Sequence, residues 1–160
     1  MTNEQNKIIQ TFDKWGSIFR VEFDITVLKN PPGVKKTNIL HLTTDGNCCQ
    51  KGQRVPNVEV KASGQIWIAT ALNGHGNRVV KHNIEFGKKY HFVIQQALEN
   101  GIVMYKIIVD GVVIHSIQNT QPEDYNNVKA YLSDPWKQTF NGCLENLELV
   151  PGNGKLLNQK

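Results

Sequence analysis

Phe19-Arg20-Val21-Glu22-Phe23-Asp24-Ile25-Thr26-Val27 alternates apolar and polar side chains without a break, and Ile18 and Leu28 flank the run. Successive side chains of a β-strand point to opposite faces. The segment therefore puts Phe19, Val21, Phe23, Ile25 and Val27 on one side, and Arg20, Glu22, Asp24 and Thr26 on the other. This is the pattern of an antiparallel strand with one face buried and one face wet.

Working outward, runs of the same kind occur at 37–43, 57–61, 65–72, 79–83, 90–97, 102–109, 112–118, 126–132 and 143–150. Turn-forming residues separate them: Asn30-Pro31-Pro32-Gly33, Ser63-Gly64, Asn73-Gly74, Phe86-Gly87, Asn100-Gly101, Asp110-Gly111 and Asn141-Gly142. Asn-Gly and Asp-Gly supply the positive φ angles of two-residue hairpins. No long window carries a helical apolar stripe. About ten short strands in close succession predict an all-β, antiparallel β-sandwich of jelly-roll type.

The chain has 160 residues, 39% of them hydrophobic and 20% charged, which suits one domain with a real core. We expect that domain to span residues 1–150, followed by a loose, polar tail at 151–160. The net charge is +4, but Lys35-Lys36 and Lys88-Lys89 are the only basic doublets. A nucleic-acid interface needs a clustered basic stripe, so no nucleic-acid partner is expected. No apolar run approaches the roughly 20 residues that span a bilayer, so membrane insertion is not expected. The start, Met1-Thr2-Asn3-Glu4-Gln5, is polar and does not read as a secretory leader, which leaves the compartment open.

The chemistry-bearing residues exclude more than they suggest. Of the five histidines, none sits beside a plausible nucleophile, and His41, His91 and His115 lie within strands as ordinary sheet residues. Glu22 and Asp24 are the one carboxylate pair on a shared strand face, the arrangement a sandwich glycosidase needs. Arg20 joins them there, which reads as a cross-strand charge set, while Glu59 stands without a partner. Zinc is disfavoured by adjacent cysteines with no nearby histidine. Calcium finds only Asp45 and Asn47, with Asp134 from elsewhere, so no cofactor is expected.

Binding remains. Sugars are held by planar polar side chains around a flat apolar surface that covers the ring's C–H face. The loop Thr43–Pro56 contains Asp45-Gly46-Asn47-Cys48-Cys49-Gln50 and then Arg54. The adjacent cysteines admit three states: a strained vicinal disulfide, a bridge from one of them to Cys143, or free thiols. A second loop, Asn73-Gly74-His75-Gly76-Asn77-Arg78, offers amides and an imidazole, and Trp136 in Ser133-Asp134-Pro135-Trp136 offers an aromatic platform. Trp15 and Trp67 read as core. The expected carbohydrate site is Asp45, Asn47, Cys48, Cys49 and Arg54, joined by Asn73, His75, Asn77 and Trp136.

The segments FRVEFDITVLKNPP, NILHLTTDGNCCQKGQRVPNVEV, IWIATALNGHGN and NVKAYLSDPW occur in that order. Together they resemble a concanavalin A-like jelly-roll domain of laminin-G and galectin shape found in invertebrates, and are most similar to the small 18-kDa lectins of marine sponges. The resemblance implies glycan partners of N-acetylhexosamine or galactose type, homo-oligomers that cross-link them, and an extracellular setting. It does not carry the galectin sugar residues over, because His75-Gly76-Asn77-Arg78 has different spacing and Trp67 lacks the acidic and basic residues that follow it there. The expectation is a non-catalytic lectin. The rival readings are a laminin-G-like protein-binding module, a glycoside hydrolase acting through Glu22 and Asp24, and a purely structural or adhesive oligomer.

Overall fold

The computed structural model describes residues 6–152, and all of its regular structure is strand. In chain order the strands are β1 (Ile8–Trp15), β2 (Phe19–Val27), β3 (Lys36–Thr43), β4 (Asn57–Lys61), β5 (Gln65–Leu72), β6 (His75–Asn83), β7 (Lys89–Glu99), β8 (Ile102–Val109), β9 (Val112–Gln118), β10 (Tyr125–Tyr131) and β11 (Gly142–Val150). They form a six-stranded sheet, β1-β10-β3-β4-β5-β6, and a five-stranded sheet, β11-β2-β7-β8-β9. Every pairing between these strands is antiparallel. This is the expected jelly-roll sandwich, with eleven strands.

The period of two builds the core. The five apolar residues of β2 are all buried against Phe92 and Ile94 of β7, Tyr105 and Ile107 of β8, and Val58, Val60, Ile66 and Ile68 of the facing sheet. Phe23 stacks on Phe92 with ring centroids 5.5 Å apart. Each such side chain contributes about 1.5–3 kcal/mol by leaving water. The Asn100-Gly101 and Asp110-Gly111 pairs have φ of 50°/78° and 49°/79°, the doubly positive geometry that turns β7 into β8 and β8 into β9.

Three expectations need correction. First, β1 was not foreseen; only its Phe12 and Trp15 are buried, three residues apart, so no period of two marks it in the sequence. Second, Asn73–Arg78 is not a loop throughout: Asn73-Gly74 makes the turn and β6 begins at His75. Third, Trp15 is fully buried but Trp67 is not core. Flanked by the buried Ile66 and Ile68, it faces outward, where Lys61 and Lys81 lie over its ring at 3.8 and 4.4 Å from the centroid. Residues 153–160, most of the expected tail, lie outside the described residues.

Candidate functional site

The outer face of the six-stranded sheet carries the polar alternates of β3 and β4. Asn38 pairs in register with Glu59, and His41 with Asn57. On an open sheet these side chains would be wet. Here they are buried, along with Arg54, Asp134 and Lys137, because the β3–β4 and β10–β11 connections fold over them. Buried charges need partners, and the network supplies them.

Lys137 is its centre. Its ammonium group donates to Asn47 Oδ1 at 2.7 Å and Asp134 Oδ2 at 3.2 Å, and lies 3.0 Å from Glu59 Oε1. Three acceptors match the three donors of an ammonium group. Arg54 fastens the loop from the other side: its Nε donates to the Asn47 carbonyl at 3.0 Å, Nη1 to Asn77 Oδ1 at 3.1 Å and Nη2 to Glu59 Oε1 at 3.5 Å. Asn38 donates to Asn57, which donates to Glu59, each at 2.8 Å. Glu59, expected to lack a second carboxylate, has cations and an amide as its partners instead. It meets Lys36, Arg54, Lys137 and Asn57 at once. Burial by itself pushes the Glu59 carboxyl up, but Lys137, Asn57 and Arg54 outweigh it and hold it below the ordinary carboxylate value.

Asp134 seats the β10–β11 connection. Its Oδ1 accepts from the amides of Trp136 and Lys137, which closes the Asp134-Pro135-Trp136 turn. Its Oδ2 lies 2.8 Å from His41 Nδ1, and His41 Nε2 lies 2.7 Å from the Gln53 carbonyl oxygen. The carboxyl is again pulled below its usual value, with His41 and Lys137 overcoming burial. Trp136 is left 41% exposed, edge-on to His41 and Tyr131.

The structure therefore brings Asn47, Cys48, Cys49, Arg54 and Asn77 to one rim, with Trp136 tied to it through Lys137 and Asp134. Gly76 of β6 lies directly against the Cys49–Lys51 backbone, so the hairpin and the long loop touch. Cys48 and Cys49 are in sulfur–sulfur contact, and Cys143 is free and exposed on β11, so no bridge from the loop to Cys143 forms. Asp45 is exposed beside Thr44, and His75 is exposed at the start of β6. Asn73 is turned elsewhere: its side chain bonds Gln118 and Thr120 and ties the hairpin to the β9–β10 connection. The expected residue set omitted Lys137, Glu59, Asn57 and His41. The alternation Asn57-Val58-Glu59-Val60-Lys61 was the available signal, since it puts all three polar residues on one face.

A calcium set of Asp45, Asn47 and Asp134 is not assembled. The oxygens of Asn47 and Asp134 are occupied by the Lys137 ammonium group, and no group of three His, Cys, Asp or Glu side chains among the described residues is placed to hold a metal ion.

Glu22 and Asp24 lie on the outer face of the other sheet and grip His91: Nδ1 is 2.6 Å from Asp24 Oδ1 and Nε2 is 2.8 Å from Glu22 Oε1. Arg20 and Asn146 occupy the remaining oxygens. This is a cross-strand charge set. The hydrogen bond to the Asp24 carboxylate, aided by the one to Glu22, raises the His91 pKa above its ordinary 6.5. Its folded value being the higher, His91 contributes stability that is complete below about pH 6.5 and fades as pH rises through the folded value. At 41% exposure that contribution stays under about 1 kcal/mol. An NMR titration should place the His91 midpoint above 6.5, and a midpoint at or below it would remove the clasp.

No protein-family model matches the chain, and no curated protein does either. Solved structures share its architecture. A heptameric SAP-like pentraxin from Limulus polyphemus superposes with a TM-score of 0.59 at 14% identity, covering 93% of this chain and 71% of that one. A sialidase carbohydrate-binding module, CBM40, from Ruminococcus gnavus, bound to α2,3 sialyllactose, gives 0.54 at 8% identity, with 93% and 91% covered. A human galectin-16 double variant gives 0.53 at 12% identity, with 93% and 100% covered. At these identities the likeness is one of fold.

Proposed function

We propose that this protein is a non-catalytic carbohydrate-binding domain, a lectin, whose site is the rim formed by Asn47, Cys48, Cys49, Asn77 and Trp136, with Asp45 and His75 beside it and Arg54 buried beneath it as a support. The observation that carries the reading is the convergence of the β3–β4 and β10–β11 connections and the start of β6 over one sheet face, supported from beneath by the Lys137–Glu59–Arg54 network. A rim fixed in advance loses little entropy when a ligand docks. The Asn77 amide and the exposed Asp45 carboxylate reach hydroxyl or acetamido groups. The Trp136 ring and a vicinal Cys48–Cys49 disulfide cover the apolar face of a pyranose, of N-acetylhexosamine or galactose type. The carbohydrate-binding proteins among the structures of like fold are consistent with this reading.

Each neutral hydrogen bond adds about 0.5–1.5 kcal/mol net, so one site is weak and avidity comes from several copies. A homo-oligomer supplies them. Edge strand β9, Val-Val-Ile-His-Ser-Ile-Gln, carries no charge and exposes Val112, Val113 and Ile117. Edge strands that stay unpaired are usually blunted by charge, as β6 is by Arg78 and Lys81. In a chain of net charge +4, an uncharged edge is where two copies meet without repulsion.

Replacing both Cys48 and Cys49 by Ser is expected to weaken glycan binding about tenfold with the fold kept. A glycan array and circular dichroism on the same samples measure both. Absence of any bound glycan for the unaltered protein at high concentration would favour a protein-binding module instead.

A further inference from the structure

Beyond the rim, the same sheet face runs on across β4, β5 and β6, and its charge is lopsided. Strands β3–β6 contain one carboxylate, Glu59, against Lys36, Lys61, Arg78 and Lys81. Glu59 is already shared among Lys36, Arg54 and Lys137. Lys36 and Lys61 are direct partners in the antiparallel register, and Lys81 sits opposite Trp67 on the other side. Like charges directly opposed across a sheet are destabilising. Lys61 shows the crowding: burial first, then Lys36, Lys81 and Arg54, lower its pKa, with only Glu59 opposing them.

The ammonium groups are held in place. Lys61 and Lys81 approach the Trp67 ring from the two neighbouring strands. Trp67 is itself fixed by donating Nε1–H to Gln65 Oε1 at 2.6 Å, and Gln65 donates to Asn83 Oδ1 at 3.2 Å. The result is a fixed cationic platform beside the rim. Lys36, at 41% side-chain exposure, completes it at the solvent side. Breaks of a local pairing rule are expected at functional or strained sites.

We infer that the Lys36–Lys61–Trp67–Lys81 platform is a subsite for an anionic substituent, sulfate or carboxylate, on the bound glycan, so that the preferred ligands are acidic glycans. This rests on the carbohydrate reading above and names its ligand class. An oxyanion placed among these lysines gains charge-assisted hydrogen bonds and relieves the Lys36–Lys61 repulsion.

The test is calorimetry with three matched oligosaccharides, neutral, sulfated and carboxylated, at about 50 and 200 mM salt, for the full chain and for Lys61→Ala/Lys81→Ala. Acidic ligands are expected to bind about tenfold more tightly than the neutral one at low salt, with the gap narrowing at high salt. The double variant should erase that gap and leave neutral-glycan affinity unchanged. If only the sulfated or only the carboxylated ligand gains, the subsite stands and its anion is identified. Equal affinity for neutral and acidic ligands overturns the subsite while the lectin reading survives. The same loss of preference in Lys14→Ala, an exposed lysine on β1, would make the effect diffuse attraction and also overturn it. No binding of any of the three removes the lectin reading and the subsite together.

Discussion

Glu59→Ala is expected to lower the unfolding free energy by about 3–5 kcal/mol. The Glu59 side chain is 3% exposed, and two cations beside it are nearly as buried, Lys137 at 7% and Arg54 at 9%. Removing the carboxylate leaves those cations out of water with too few acceptors, which is the costly way to break a buried ion pair. Glu59→Gln keeps the shape and an acceptor for Asn57, so its cost should be smaller. Glu59→Ala combined with Lys137→Met should cost less than the two single changes added together, because the second removes the charge that the first strands. Urea melts of the unaltered protein, the three single variants and the double variant measure this; a loss under about 1 kcal/mol for Glu59→Ala would mean that the network carries little stability.

The same network sets an acid limit. Glu59 and Asp134 are both held below their ordinary values of 4.5 and 3.8. A carboxyl whose folded value is depressed contributes stability that is complete above its unfolded value and lost as pH falls through its folded value. Stability should therefore fall progressively below about pH 4.5, and Glu59→Gln should flatten that fall. The sign is opposite to that of His91, so the two devices bound the stability profile from different sides.

How much of this was legible depends on where each residue's partners lie. The β2 alternation was readable because every apolar residue faces one core and every polar residue faces water. β1 was not, because its two buried residues, Phe12 and Trp15, are three apart while its other apolar residues, Ile8 and Ile9, are exposed, so no period of two marks the strand. Trp67 was misjudged for a different reason: residue type outweighed spacing, although Ile66 and Ile68 on either side already required it to face outward. The loops of the rim were visible as polar, glycine-bearing insertions. Their support was not, because Lys137 meets Glu59 and Asn47 only after the β10–β11 connection folds across the sheet. No local pattern marks a lysine that will be buried.

Gly76→Ala is expected to reduce glycan affinity by about tenfold or more while leaving the sandwich folded. A methyl group at Gly76 would sit 2.7 Å from the Gln50 carbonyl carbon and 2.8 Å from the Lys51 nitrogen, and would press on the Cys49 oxygen. These are backbone atoms, so relief requires the 49–51 segment to move, carrying Cys49 off the hairpin. Gly76 is not among the glycines with positive φ, so alanine suits the strand itself, and the damage is confined to the contact. Overpacking of this kind costs about 1–3 kcal/mol. Gly87→Ala is the control: its φ is +81° with nothing within 4 Å, so it strains a turn far from the rim and should lower stability without touching affinity. A readout independent of sugar is available in the same loop. Lys51 is held by Glu123 at 2.8 Å, and displacing the segment should open the Lys51 bond to trypsin. If Gly76→Ala keeps both full affinity and resistance at Lys51, the seating of the loop on β6 does not shape the rim. The binding surface would then have to be sought on the Trp136 side of the sheet.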